Sequence, residues 1–66
     1  MRVTVNGDDR DLPEGLGLVA LIEQLGLRPG SIVVERNGDA LVRSEMDAVV
    51  LADGDRLELV RAVAGG

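Results

Sequence analysis

The stretch "LVALIEQLG", Leu18 to Gly26, decides how the rest of the chain is read. Leu18, Leu21, Ile22 and Leu25 fall at i, i+3, i+4 and i+7, which is one apolar stripe on an α-helix. Glu23 and Gln24 lie off that stripe. Gly26 stands where a left-handed residue closes a helix, and Pro29 cannot extend one. Gly17 is a weak N-cap because it has no side-chain oxygen for an orphan N–H. The prediction is one helix with one buried face, which needs a sheet to lie on.

Strand signals flank it on both sides. In "RVTVNGDDRDL" (2–12), Val3 and Val5 alternate with Arg2 and Thr4 at a period of two. Asn6-Gly7 then supplies a type I′ hairpin turn, since both residues tolerate positive φ. The return strand, Asp8 to Leu12, has little to bury, and Pro13 ends it by lacking an N–H donor. It is therefore expected at an edge. "SIVVERNGDALVR" (31–43) repeats the scheme, with a strand over Ser31–Arg36, a turn at Asn37-Gly38 and a short return strand over Ala40–Arg43. Between Ser44 and Ala52 a short helix or 3₁₀ turn is expected, with Met46, Val49 and Val50 inward. Asp53-Gly54-Asp55 reads as a turn, and Arg56–Val63 as a last strand with Leu57 and Leu59 on one face. The order is β-β-α-β-β-(short helix)-β. This predicts a two-layer α+β domain, a mixed sheet of about five strands on one main helix, with the first and last strands parallel at its centre.

Composition narrows what such a domain does. Sixty-six residues make one small domain, with no cysteine for disulfides or thiolate metal sites and no histidine. The core has to be built from aliphatic side chains, because aromatic residues are absent. Without His, Cys, Lys or Tyr, catalysis would rest on carboxylates, two serines and a threonine, with nothing to activate a hydroxyl. No catalytic residue and no metal site is therefore assigned. Asp8, Asp9, Asp11, Asp53 and Asp55 lack the spacing of a calcium loop and read as solvated turn carboxylates. A net charge of −5 argues against nucleic acid and for a basic docking partner. No apolar run is long enough to span a membrane, and Met1–Val5 does not resemble a signal peptide, so a cytoplasmic location is expected.

The last segment, "LVRAVAGG" (59–66), carries the functional signal. Alternation puts Val60 and Ala62 on the face opposite Leu57, Leu59 and Arg61, where they would form an apolar docking patch. Arg61 is expected to face solvent. Residues 1–63 are expected to form the folded domain and 64–66 a flexible Gly-Gly tail. Glycine has no Cβ, so Gly65-Gly66 could thread a narrow site on another protein. All seven basic residues are arginines, whose guanidinium stays protonated.

Taken together, Val34-Glu35-Arg36-Asn37-Gly38 leading to Val42 and Arg43, the segment Asp53-Gly54-Asp55-Arg56-Leu57-Glu58, and Ala64-Gly65-Gly66 resemble the thiamine-biosynthesis sulfur carriers, the ThiS family. The resemblance covers the whole chain and implies a ubiquitin-like β-grasp fold. It departs at Met46 and Val60, where the family often has an aromatic residue. It implies a carrier, not an enzyme. The Gly66 carboxylate would be adenylated by an E1-like partner using Mg-ATP and converted to a thiocarboxylate with sulfur from a sulfur-transfer protein. Thiazole synthase would then receive that sulfur. Gly65, Ala64 and Val63 would thread into the partner, Val60 and Ala62 would dock, and no cofactor would be bound by the chain itself. Two other readings stand beside it. One is the small subunit of molybdopterin synthase, whose chains usually run longer with more phenylalanine. The other is a β-grasp interaction or RNA-binding module, which would need a basic face and no free Gly-Gly end.

Overall fold

The computed structural model describes residues 1–62. Strand β1 (Arg2–Val5) turns at Asn6-Gly7 into β2 (Asp8–Asp11). Helix α1 (Leu18–Gln24) follows, and a 3₁₀ turn (Pro29–Ser31) leads into β3 (Ile32–Arg36). Strand β4 (Asp39–Leu41), the short helix α2 (Arg43–Met46) and β5 (Arg56–Arg61) complete the order. The strands lie as β2-β1-β5-β3-β4. β5 runs parallel to β1, with Val5 beside Leu57, and antiparallel to β3, with Val34 beside Leu59. The expected parallel pair is therefore at the centre, and β2 is an edge strand whose four residues are all exposed.

The core follows from two periodicities meeting. Leu18, Leu21 and Ile22 of α1 are buried against Val3, Val5, Ile32, Val34, Leu57 and Leu59 from the inner face of the sheet, with Met46 and Leu51 filling the remaining side. Leu25 closes the stripe as a partly buried residue at the helix C-cap. Gly26, at φ +76°, reverses the chain there, as its place in the sequence required. The Val49 backbone lies beside Gly17, at ordinary contact distance. The Val49 carbonyl accepts the Leu18 N–H at 3.0 Å and so caps the helix start.

Several boundaries differ from those read in the sequence. The second return strand covers Asp39–Leu41, because Arg43 already belongs to α2. There the Val42 N–H is held by the Glu45 carboxylate at 2.9 Å. Ser31 belongs to the 3₁₀ turn, not to β3. Val50 does not turn inward. It is exposed, and Leu51 is buried in its place, because the extended segment bridges Gly17 at Val50 and so reverses which side chain faces the core. The last strand covers Arg56–Arg61, and Ala62, expected within it, already lies beyond its end; the division between a 1–63 domain and a 64–66 tail lies outside the described residues.

Candidate functional site

The site begins with how β5 is held. Both Asn-Gly turns adopt positive φ at both residues, Asn6 at 50° with Gly7 at 86°, and Asn37 at 53° with Gly38 at 88°. Each asparagine also reaches sideways to the central strand. Asn6 accepts the Leu59 N–H at 2.7 Å and donates Nδ2 to the Leu59 carbonyl at 3.2 Å. Asn37 accepts the Arg56 N–H at 2.9 Å and donates Nδ2 to Asp55 Oδ1 at 3.0 Å. Two side-chain amides thus imitate neighbouring strand backbone and fasten β5 from both flanks.

At the entrance to β5 the side chain of Asp55 is buried, which corrects its reading as a solvated turn carboxylate. Its Oδ2 accepts the Ala52 N–H at 2.9 Å and the Arg36 guanidinium at 3.0 and 3.1 Å. Burial pushes this carboxyl up. The hydrogen bonds from Ala52, Asn37 and Arg36, with the Arg36 charge, outweigh burial and hold it below the ordinary carboxylate value. Arg36 Nη2 also donates to the Val50 carbonyl at 3.3 Å, so one arginine ties β3 to the long connection before β5.

With its backbone fixed, β5 sorts its side chains. Leu57 and Leu59 enter the core, while Arg56, Glu58 and Val60 face outward. Val60 is 60% exposed, and the register places it directly beside Val33, itself 48% exposed. Val42, just beyond the end of β4, is also exposed. Ala62 is exposed just beyond the strand, its N–H donated to the Ser31 carbonyl at 2.8 Å. The two residues expected to dock, Val60 and Ala62, are thus uncovered. The patch they begin extends across the sheet to Val33, which the sequence reading had not included. Only the β3–β5 pairing shows this, and no local pattern in β3 announces it. Val63, Ala64, Gly65 and Gly66 lie outside the described residues. Arg61 is exposed and, with Arg28, Ser31 and Ile32, lines an open cleft of about 350 Å³ at the end of the sheet.

The described residues contain no group of three or more Asp, Glu, His or Cys side chains placed to hold a metal ion. No helix among them is long and apolar enough to cross a membrane.

A five-stranded mixed sheet with a parallel central pair, one helix across its inner face and an uncovered outer face defines a ubiquitin-like β-grasp protein. A model of the ThiS family matches residues 3–66, and the chain belongs to that family. It is similar to a crystal structure of the thiamine biosynthesis protein ThiS from Geobacter metallireducens. The two are 33% identical, all of both chains is covered, and the TM-score is 0.84. A solution structure of a thiamine biosynthesis protein from the same organism gives 35% identity and a TM-score of 0.77, covering all of this chain and 88% of that one. Two curated relatives are longer. The thiazole synthases of Paramagnetospirillum magneticum and Magnetococcus marinus are 33% and 35% identical over 66 residues. The chain spans 20% of the length of each.

Proposed function

We propose that this protein carries sulfur for thiamine synthesis as a thiocarboxylate on Gly66. Membership of the ThiS family supports the pathway, as does the likeness to thiamine biosynthesis proteins over the whole chain. The observation that carries the mechanism is the placement of β5. It is the central strand, held on both flanks, and it leads directly from the uncovered Val33–Val60 pair into Ala62-Val63-Ala64-Gly65-Gly66.

A carboxylate does not react with sulfur nucleophiles until one oxygen becomes a leaving group. In the proposed sequence an adenylating enzyme binds Mg-ATP and the Gly66 carboxylate displaces pyrophosphate, giving an acyl-adenylate. A sulfur-transfer protein then delivers sulfur at the sulfide level, which displaces AMP and leaves the thiocarboxylate, and this group passes its sulfur to thiazole synthase. The chain itself supplies no catalytic group. It offers a rigid grip, through Val60 and Ala62, and a tail whose last two residues, Gly65 and Gly66, lack side chains and can enter a narrow site. ATP is bound by the partner, not by this protein.

Intact-mass measurement tests the reading, starting with whether Gly66 has a free carboxylate in the mature protein. Incubation with the adenylating enzyme, Mg-ATP and a sulfur donor should then add the mass of one oxygen-to-sulfur exchange, located on Gly66. Deleting Gly66, or adding one residue after it, shifts the carboxyl by about 3.5 Å. A misplacement of about 1 Å already costs about 100-fold in rate. Both variants should fold and remain unmodified. Equal sulfur loading of the deletion variant would refute the proposal.

A further inference from the structure

The outer face of the β3–β5 pair has a feature that sulfur attachment does not use. The register that joins Val33 to Val60 also places Glu35 directly opposite Glu58, further along the same face. Both side chains are exposed. Like charges facing each other across an antiparallel pair destabilise it. No ion pair among the described residues involves either glutamate. Arg2, Arg36 and Arg43 make ion pairs with aspartates elsewhere. On the far side of Glu35 the neighbour is Ala40, which brings no charge. Arg56 shares the face two residues before Glu58, yet it too stands outside every ion pair of the described residues.

A domain this small has little stability to spare. The two carboxylates also border the one exposed apolar rung of the central strands. An apolar partner surface closing over Val33 and Val60 would exclude water from the neighbouring glutamates. Two unpaired carboxylates left there would oppose binding, whereas one cation set between them would be attracted by both, and more strongly as water leaves. The chemistry therefore selects a partner with an arginine or lysine next to an apolar side chain.

We propose that Glu35, Glu58, Val33 and Val60 form a single recognition surface for thiazole synthase, whose matching surface presents such a basic group. The choice of partner rests on the carrier reading above. It is favoured by the two relatives, in which the counterpart of this whole chain is part of a longer thiazole synthase. In the free protein the glutamate pair is a small cost to the sheet, and in the complex it is the source of charge attraction.

Glu35→Gln, Glu58→Gln and the double variant test this with paired readouts. The melting temperature of the isolated double variant should equal or exceed that of the parent. Its affinity for the thiazole synthase of the same cell should fall about tenfold or more, mainly through slower association, and should lose much of the parent's salt dependence. Sulfur loading of Gly66 by the adenylating enzyme should continue in all variants. Unchanged affinity and salt dependence in the double variant would overturn the proposal, as would a parent that does not bind thiazole synthase. Loss of loading with intact thiazole synthase binding would assign the surface to the adenylating enzyme instead and overturn the choice of partner. A parent that binds thiazole synthase through the glutamates but never acquires sulfur would refute the carrier reading and leave this surface standing.

Discussion

The two faces of β5 are built to different rules. On the inner face Leu57 and Leu59 meet the helix stripe, and packing determines what is allowed. On the outer face Glu58 and Val60 are exposed, and folding alone would accept many side chains there. One strand of six residues thus carries the centre of the core and the centre of the exposed patch, separated only by the period of two. The contrast teaches that the core and the exposed face can be altered separately in this molecule, residue by residue along a single strand.

Breaking the inner face should have the largest effect. Leu57→Ala removes a fully buried side chain from the middle of the sheet. The expected loss is about 2–5 kcal/mol. In a domain of this size that suffices to unfold much of the population, which circular dichroism would report. A melting curve matching the parent's would mean that β5 is not where the core is.

Next comes the anchor at the strand's entrance. Asp55→Ala leaves Arg36 without its partner and the Ala52 N–H without an acceptor. Removing one member of such a buried pair costs about 3 kcal/mol. This effect depends on pH. The folded-state carboxyl lies below the ordinary value. Its contribution is therefore complete above the unfolded value of about 3.9. It is lost as pH falls through the lower, folded-state value. Urea midpoints of parent and variant should therefore converge in acid, and a constant gap between pH 7 and pH 2 would contradict the assignment.

A smaller loss is expected from Asn37→Ala. It removes two side-chain hydrogen bonds to the Asp55–Arg56 segment. It also places alanine at φ 53°, in the left-handed region. Together these should cost about 1–2 kcal/mol. Asn37→Gly removes the backbone strain but does not restore the bonds. Comparing the two melting temperatures separates the contributions.

Least of all should follow, in the isolated protein, from Val60→Ser on the exposed outer face. Stability should stay within about 0.5 kcal/mol of the parent's, as for other surface positions. Binding to the proposed partners should nevertheless weaken, measurable by calorimetry. A stability loss as large as that of Leu57→Ala would erase the distinction between the faces.

Much of this arrangement was legible in the residues because its signals are local. The stripe at Leu18, Leu21, Ile22 and Leu25, the two Asn-Gly turns and the alternation through Leu57 and Leu59 each lie within a few residues. What escaped depends on partners far away in sequence. Asn6 and Asn37 read as turn formers, yet their side chains grip β5, 53 and 19 residues further on. Asp55 resembles any turn carboxylate until Arg36 and Ala52 are brought around it. The patch looked confined to Val60 and Ala62 because Val33 joins it only through the β3–β5 register. Val50 and Leu51 exchanged roles because the segment before β5 has no period to read, and its bridge to Gly17 settles which side chain turns inward. Val63 through Gly66 were read from composition and resemblance alone, and their roles rest on the chemistry proposed above.

The central place of β5 has a consequence for how the molecule is made. The two hairpins that precede it do not pair with each other, because β5 lies between them. During synthesis the segments before Arg56 are made without the strand that joins the two hairpins. Thr4 must wait for Arg56 before the parallel ladder can begin. Contacts so distant along the chain close slowly, since loop entropy is lost before packing compensates for it. The nascent domain therefore gains its cooperativity late, when the strand that bears the exposed apolar face is inserted between the two hairpins.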